Sequence, residues 1–326
     1  MSQSIELDLD QQFALDVERG LTSQPKFLQS KYFYNAKGDE LFQEIMNLEE
    51  YYLTRAEYQV FEQRKDAILS KIKSRIGDQS FELVELGAGD GYKTKILIRH
   101  FLDKGVDFQY IPIDISANVL EGLKLSLGVE VPSLEVRTNQ GDYFDALAQL
   151  DYEEVPKVIL QLGSNIGNFD YDDAVAFLKK LASHMKPFDH LLLGIDLKKE
   201  PSKILAAYND KRKVTAEFNL NLLDRINEEL GANFDRDEFL HNPTYDPISG
   251  ECRSYLVSKT KQTVNIEAIH QTVKFEAWEP ILMEISRKYS VQELSALADT
   301  SGLEIEEVFT DDQEQFADVM MKLKTT

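Results

Sequence analysis

Three glycines spaced two residues apart, with an acid before them, form the first feature that could bind a ligand. Gly87, Gly89 and Gly91 directly follow the apolar segment Phe81–Leu86, in which Glu85 is the penultimate residue. The apolar segment predicts a buried strand, and the residues after the turn have helical spacing. Glycines at such a strand end let a ligand approach the backbone without a Cβ in the way. The alternative is a tight turn that binds nothing.

The spacing of these glycines favours a cationic ligand over a dinucleotide. A dinucleotide fingerprint has the pattern G-x-G-x-x-G and holds a pyrophosphate, whereas this turn has the pattern G-x-G-x-G with Glu85 before it. A carboxylate suits a positively charged ligand better than a pyrophosphate. The pattern resembles the first motif of the S-adenosylmethionine-dependent methyltransferases, whose glycines face the amino-acid end of the cofactor.

Polar side chains follow two further predicted strands. Asp114 lies at the end of one strand, and Asp142 and Tyr143 follow the next. Ligands of doubly wound sheets bind at the carboxyl ends of the strands. Asp114 can accept hydrogen bonds from two ribose hydroxyls, and Asp142 can accept one from an adenine amino group while Tyr143 packs on the base. Taken singly, each acid could equally be a helix cap or a solvated loop residue, but three suitable strand ends together favour a nucleoside ligand.

The segments around these side chains alternate between strand and helix patterns, which predicts a parallel sheet with helices on both faces. A helix beginning at Ser290, where Glu293 completes a capping box, precedes two last strands at 303–309 and 316–323. The predicted fold class is therefore α/β, a Rossmann-like doubly wound sheet with an antiparallel last strand. The other predicted strands are 81–86, 109–115, 134–138, 157–162 and 190–196.

Residues 197–287 interrupt this alternation. Residues 203–230 have near-helical spacing and predict one long helix. The following segment is polar and contains the breakers Pro243 and Pro247, so turns are expected there. Two antiparallel strands are predicted after it, at 252–258 and 263–267.

The amino-terminal part contributes a helix signal and several tyrosines. Thr54, with Glu57 three residues later, predicts a capping box that opens a helix over about 55–76. Tyr34 and Tyr51 could contact a ligand or simply pack as amphipathic rings.

These elements predict two domains with a ligand cleft between them. A discontinuous methyltransferase domain comprises 61–196 and 288–326. A second, α+β substrate-binding domain comprises 1–60 and 197–287.

The composition excludes several functional classes. With 326 residues, of which 43% are hydrophobic, the chain can bury a sizeable core, and its formal charge of −21 makes nucleic acid a poor substrate. Cys252 is the single cysteine, so neither a disulfide framework nor a cysteine-based zinc site is expected, and we predict no metal. The first residues lack the apolar core of a signal peptide and no segment reaches the length of a membrane span. We therefore expect a cytoplasmic protein, with a monomer as the default state.

Ordered motifs along most of the chain resemble one family. From about residue 20 to the end, the chain is similar to the histidine-specific Nα-methyltransferases of ergothioneine biosynthesis. The motifs of the second domain are more specific than the glycine turn, because general methyltransferases lack them. The motifs are Phe-Tyr-Asn around Tyr34, LEEYYLTRAE at 48–57, ELGAG at 85–89, LGSNIGN at 162–168, LGIDL at 193–197, VTAEFN at 214–219 and Glu284-Ile-Ser286.

The resemblance implies a class I methyltransferase fold, S-adenosylmethionine as cofactor, S-adenosylhomocysteine as product and L-histidine as substrate. The implied cofactor contacts are Tyr51, Glu85, Gly87, Gly89, Lys93, Asp114, Asp142 and Tyr143. The implied substrate contacts are Asn168 and Tyr208 for the carboxylate, Tyr34 and the Gly163 backbone near the α-amine, Glu284 and Ser286 for the imidazole, and Tyr51 and Ser254 as pocket walls. Tyr34 and Asn168 are the implied catalytic residues, and Tyr34 or water takes the proton.

Glu284 and Ser286 support histidine independently of the resemblance. Residues two apart on a strand face the same way, and a carboxylate with a hydroxyl can satisfy both ring nitrogens of an imidazole. A site that pairs both nitrogens rejects analogues lacking them by up to ~10⁴-fold. The alternative is a polar strand face in water.

The expected reaction is direct in-line methyl transfer in the cleft, up to trimethylhistidine (hercynine). Two departures from the family bear on it: Ser254 stands where relatives carry methionine, and the charged segment Asn209–Lys213 is either a lid or a solvated loop. The alternatives are an N-methyltransferase of another amino acid or small amine, and a catalytically silent protein that binds S-adenosylmethionine.

Overall fold

A computed structural model of the protein describes residues 9–150 and 155–325. The helices are α1 (Leu9–Thr22), α2 (Ala36–Met46), α3 (Leu53–Ile76), α4 (Thr94–Asp103), α5 (Ala117–Glu130), α6 (Tyr143–Leu150), α7 (Tyr171–Ser183), α8 (Pro201–Tyr208), α9 (Val214–Leu230) and α10 (Val291–Thr300). Within the described ranges, no helix is long and apolar enough to cross a membrane.

The strands divide between two compact units, one of residues 9–52 and 199–286 and the other of residues 53–198 and 287–325. The strands are β1 (Lys26–Phe27), β2 (Phe81–Leu86), β3 (Phe108–Asp114), β4 (Glu135–Val136), β5 (Asn139–Gln140), β6 (Lys157–Gln161), β7 (His190–Asp196), β8 (Phe239–Asp246), β9 (Glu251–Ser258), β10 (Gln262–Ile266), β11 (Gln271–Phe275), β12 (Pro280–Arg287), β13 (Leu303–Thr310) and β14 (Phe316–Leu323).

The larger unit is built on an eight-stranded sheet in the order β13-β14-β7-β6-β2-β3-β4, with β5 also pairing with β3. Strands β2 to β7 pair with one another in parallel, whereas β14 is antiparallel to both β7 and β13. Every residue of β2, β6 and β7 is buried, as expected for parallel strands covered on both faces. The predicted doubly wound fold with a closing antiparallel strand is confirmed.

Two apolar layers cover this sheet, because successive side chains of each strand point to opposite faces. Val84 and Ile159 belong to the layer that includes α7 and α10, whereas Leu83 and Val158 belong to the layer that includes α3 and α4. The predicted third strand, 134–138, instead forms the two short pieces β4 and β5, which pair with the two ends of β3.

The smaller unit contains a four-stranded sheet in the order β1-β12-β9-β8 and the hairpin β10-β11. Its core includes Phe33, Phe218, Leu222, Leu256 and Ile281. The expectation of turns around Pro243 and Pro247 was wrong for the first proline, which lies within β8. Because β8 is an edge strand, a residue without a backbone N–H is tolerated there.

The long helix expected over 203–230 is interrupted between α8 and α9. The buried carboxylate of Asp210 accepts hydrogen bonds from the backbone N–H groups of Val214 at 2.9 Å and Thr215 at 2.9 Å, so it caps α9. Lys213, just before α9, has a left-handed backbone with φ +64°. The cap explains the placement of Asp210, whereas Lys211, Arg212 and Lys213 are exposed, and the choice between a lid and a solvated loop for Asn209–Lys213 stays a prediction.

The boundary between the units on the amino-terminal side lies at 52/53 rather than at 60/61, because α3 is one continuous helix. Helix α3 begins at Leu53, so Thr54 lies inside the helix and the predicted capping box at Thr54 was wrong. The capping box of Ser290 and Glu293 is present.

Candidate active site

The glycine turn after β2 brings together residues from three strand ends. Gly87 has φ +72°, and a Cβ added there would lie 2.7 Å from the hydroxyl of Tyr143. The Gly89 backbone N–H donates to Asp114 Oδ2 at 3.3 Å. Gly87, Gly89, Asp114 and Tyr143, all predicted to contact the cofactor, are therefore neighbours. The Tyr143 hydroxyl occupies the place of a Cβ at Gly87, whereas the place of a Cβ at Gly89 is open, so a ligand can approach the backbone at Gly89.

The two acids near this turn are partly occupied by backbone donors. Asp114 Oδ1 accepts from the Ser116 N–H at 3.0 Å, and Asp142 Oδ1 accepts from the Phe144 N–H at 2.9 Å at the start of α6. The hydrogen bond of Asp142 is the helix-cap role that was the alternative to ligand binding. Asp142 is also exposed, so its carboxylate remains accessible from the surface. Burial, together with the charges of Asp114 and Asp142, raises the pKa of Tyr143 to about 12. Tyr143 is thus a neutral hydrogen-bond donor at physiological pH.

Glu85 lies beneath the turn rather than on its surface. Its side chain is 3% exposed, and its carboxylate accepts hydrogen bonds from Thr94 Oγ1 at 2.6 Å and from the Tyr110 hydroxyl. Burial raises the pKa of Glu85 to about 7 despite these two donors. This placement favours support of the turn over direct ligand contact.

Glu57, which the sequence patterns predicted only as part of a helix cap, contacts both Lys93 and Gly163. Glu57 on α3 is buried, its Oε1 accepts from the Gly163 N–H at 2.8 Å, and its Oε2 pairs with Lys93 Nζ. Position 57 is 106 residues from position 163, so no local pattern could have indicated this contact. The long-range contact is the main site feature that sequence reasoning missed.

Asn168 ends a short 3₁₀ helix, Asn165–Asn168, that follows β6. This helix is held by Ser164, whose Oγ accepts from the Asp196 N–H at 2.9 Å, and by Gly167, where a Cβ would lie 2.7 Å from the Arg287 carbonyl oxygen. Asn168 itself is exposed. The amide side chain is therefore available at the surface of the larger unit.

Two of the predicted substrate contacts meet in the smaller unit. The Tyr208 hydroxyl, at the end of α8, donates to Ser286 Oγ on β12 at 2.7 Å, and both side chains are buried. Glu284 on the same strand is half-buried, but the alternation of burial along β12 breaks at Ile285. The expectation that Glu284 and Ser286 face the same way stays a prediction.

Tyr34 and Tyr51 flank one aromatic ring. Tyr34 lies edge-on to Phe42 and to Phe218, with ring centroids 5.6 Å apart in each case. Phe42 also contacts Tyr51 edge-on at 6.4 Å. Tyr34 is nevertheless 47% exposed, so aromatic packing fixes its ring while leaving its surface accessible.

Ser254, which the resemblance implies as a pocket wall, lies on β9. It is 1% exposed, and its hydroxyl has no hydrogen-bond partner among the described residues. Leaving a buried hydroxyl unpaired costs about 1–3 kcal/mol. A polar atom held in this way suits a ligand or a water molecule that completes its hydrogen bond.

Comparison with known proteins places this chain. Residues 13–323 match the model of a family described as histidine-specific methyltransferase, SAM-dependent. The chain is 36% identical over 296 residues to a histidine N-alpha-methyltransferase of Mycolicibacterium smegmatis, covering 91% of this chain and 90% of the relative. It is 35% identical to the histidine N-alpha-methyltransferase of Mycobacterium tuberculosis, covering 92% of each.

A third relative is a longer protein. Ergothioneine biosynthesis protein 1 of Schizosaccharomyces pombe is 33% identical over 273 residues, which are 82% of this chain but 35% of that protein. The predicted family is thus confirmed by a match that extends over nearly the whole chain. The chain belongs to the S-adenosylmethionine-dependent, histidine-specific methyltransferases.

Proposed function

We propose that this enzyme transfers methyl groups from S-adenosylmethionine to the α-amine of L-histidine, up to trimethylhistidine (hercynine), as a step of ergothioneine biosynthesis. The observation that carries the proposal is the 36% identity, over nine tenths of both chains, to a histidine N-alpha-methyltransferase. The arrangement of side chains in each unit supports it.

The residues around the glycine turn suit the cofactor. We assign Asp114 to the ribose hydroxyls, Asp142 and Tyr143 to the adenine, and Gly87 and Gly89 to close backbone approach. Lys93, whose side chain is 20% exposed, is suited to a carboxylate, because an ammonium group offers three donors and Glu57 occupies one. When bound, S-adenosylmethionine supplies an electrophilic methyl group on a sulfonium.

The residues of the protein then bind, orient and deprotonate the substrate. Tyr208 and Asn168 are assigned to its carboxylate, Glu284 and Ser286 to its imidazole, and Tyr34 and the Gly163 backbone to its amine. The attacking amine must be neutral, so a proton leaves it between transfers. A water molecule takes this proton directly, or the Tyr34 hydroxyl accepts the hydrogen bond of the amine and passes its own proton to water. Most of the rate should come from alignment, which can supply ~7–11 kcal/mol.

Calorimetric titration tests this assignment. The protein is titrated with L-histidine and with histamine in the presence of S-adenosylhomocysteine, and mass spectrometry then counts the methyl groups added in turnover. Histidine should bind, histamine should not, and Glu284→Gln should abolish histidine binding. Glu279→Gln is the matched control, because it removes a carboxylate just before β12 that pairs with Lys26, and it should bind histidine normally.

A different substrate would give a different pattern. If histidine fails to bind the wild-type protein, the substrate assignment is wrong and a panel of amino acids and amines comes next. Ser254 is the reason for such a panel, because a buried hydroxyl at this wall changes the polarity of the pocket.

A further inference from the structure

The buried acid Glu57 links two segments that carry proposed ligand contacts. Its side chain is 1% exposed, so it cannot reach a ligand at the surface. One oxygen accepts from the Gly163 N–H at 2.8 Å and the other pairs with Lys93 Nζ. The Lys93 side chain is 20% exposed, so it is less buried than Glu57. Glu57 is therefore placed to hold Lys93 in position rather than to contact a ligand itself.

A glycine on the neighbouring strand makes room for this support. Gly194 lies in β7, and a Cβ added there would overlap Glu57 Oε1 and lie 3.2 Å from the Gly163 backbone N. The carboxylate of Glu57 therefore occupies the place of a side chain at Gly194. This accounts physically for the glycine of the LGIDL motif at 193–197, which no proposed ligand contact explains.

Direct contact identifies Glu57 as the counter-ion of Lys93. The other carboxyls that act electrostatically on this site are Glu85 and Asp318. Asp318 on β14 is fully buried, and neither oxygen has a hydrogen-bond partner within the described residues. Burial, with a further contribution from the charge of Glu57, raises the pKa of Asp318 well above its ordinary value. Glu57, in contrast, is the acid in direct contact with Lys93.

We propose that Glu57 is a positioning residue that fixes the Lys93 ammonium and the Gly163 peptide relative to each other, and that it sets cofactor affinity through Lys93. The inference rests on the proposed function, in which Lys93 contacts the cofactor and Gly163 lies near the substrate amine. A lysine has a flexible four-carbon stem, so without its buried partner the ammonium would lose a defined place.

The first test is the affinity for S-adenosylhomocysteine, measured by calorimetry without turnover. Glu57→Gln keeps the size and an acceptor for the Gly163 N–H but removes the charge. It should weaken S-adenosylhomocysteine binding about ten- to a hundredfold, as expected for a hydrogen bond to a charged group. Glu82→Gln is the matched control: Glu82 is 3% exposed, pairs with Arg137 at 3.0 Å, and lies near the opposite end of β2. It should lower thermal stability and leave S-adenosylhomocysteine affinity within about twofold.

The second test separates positioning from a general structural role. In a Lys93→Met background, adding Glu57→Gln should change S-adenosylhomocysteine affinity less than about twofold, because its effect passes through Lys93. An additive loss in the double variant would overturn the proposal. If Glu57→Gln folds poorly, Glu57→Asp takes its place in the same set of single and double variants with Lys93→Met. Glu57→Asp keeps the charge but is one methylene shorter.

The outcomes distinguish the two proposals. If Asp114→Asn weakens S-adenosylhomocysteine binding while Glu57→Gln behaves like the Glu82→Gln control, the positioning role is wrong and the cofactor site stands. If neither Asp114→Asn nor Lys93→Met affects binding, the proposed cofactor site is itself wrong, and the inference about Glu57 is overturned with it.

Discussion

Substitution of Gly87 by alanine separates two constraints that act on the glycine turn. The backbone at Gly87 has φ +72°, and an added Cβ would lie 2.7 Å from the Tyr143 hydroxyl. Gly89 has φ +55° with nothing within 4 Å of its added Cβ. Gly89→Ala therefore reports the backbone strain alone, whereas Gly87→Ala reports strain and collision together.

The two contributions can be estimated separately. A left-handed backbone costs an alanine about 1–2 kcal/mol. Overpacking adds about 1–3 kcal/mol, and the lower end applies because the half-buried Tyr143 ring can move. With the hydroxyl removed by Tyr143→Phe, the nearest atom of that ring is Cζ at 3.6 Å, which is an ordinary contact. The collision should then vanish while the strain remains.

Urea unfolding of five proteins checks this reasoning: the wild type, Gly89→Ala, Gly87→Ala, Tyr143→Phe and the Gly87→Ala/Tyr143→Phe double variant. The cost of Gly87→Ala should fall by about 1 kcal/mol or more when Tyr143 is phenylalanine, and should then match that of Gly89→Ala. An equal cost of Gly87→Ala in both backgrounds would refute the collision. S-adenosylhomocysteine affinity, measured in parallel, should drop in Gly87→Ala because the displaced ring is a proposed adenine contact.

Three further substitutions test other parts of the two units. Ser254→Ala should leave the stability of the free protein unchanged or raise it by up to about 1–3 kcal/mol, because it removes a buried hydroxyl without a partner among the described residues. The same substitution should weaken histidine binding in calorimetry. Lower stability with unchanged histidine affinity would contradict a role at the pocket wall. Tyr208→Phe removes the 2.7 Å hydrogen bond to Ser286 and should destabilise the protein by about 0.5–1.5 kcal/mol in thermal or urea unfolding, with a larger loss of histidine affinity. The pKa of Glu85 in the folded protein is raised to about 7, so between pH 4.5 and 7 this residue binds more protons in the folded than in the unfolded state, and its ionisation lowers stability as pH rises. The free energy of unfolding of Glu85→Gln minus that of wild type should therefore be larger at pH 8 than at pH 5, by at most ~3 kcal/mol. An equal difference at both pH values would show that Glu85 ionises normally.

The sheet of the larger unit could be predicted because its signals are local and strong. Fully buried parallel strands such as β2 and β7 appear as short runs dominated by apolar residues, even though β2 also contains Glu82 and Glu85. The edge strand β8 was missed, because polar residues and a proline are tolerated at an edge and also mark turns. The break before α9 was missed as well, because it depends on the buried cap Asp210, and short polar residues also occur within helices.

Site residues at strand ends were accessible to sequence reasoning, whereas contacts between distant segments were not. The doubly wound pattern indicated that Asp114 and Tyr143 would lie near the glycine turn, and the structure places them there. The Tyr208–Ser286 hydrogen bond joins residues 78 positions apart. Glu57 had an adequate local explanation as a helix cap, and only tertiary packing shows that its carboxylate serves Gly163 and Lys93 instead.

Gly194 is required for a different physical reason from Gly87, namely space rather than backbone conformation. Unlike Gly87, it has no left-handed backbone, so an alanine would be allowed by conformation, but the space of its Cβ is filled by Glu57 Oε1. Gly194→Ala must push this buried carboxylate away from Gly163 and Lys93, and disrupting a buried ion pair costs about 3–5 kcal/mol. We expect Gly194→Ala to be much more destabilising than Gly89→Ala in urea unfolding, and Glu57→Ala to relieve part of that loss in the double variant. Independent, additive effects of the two substitutions would mean that Glu57 does not occupy the space beside Gly194 in solution.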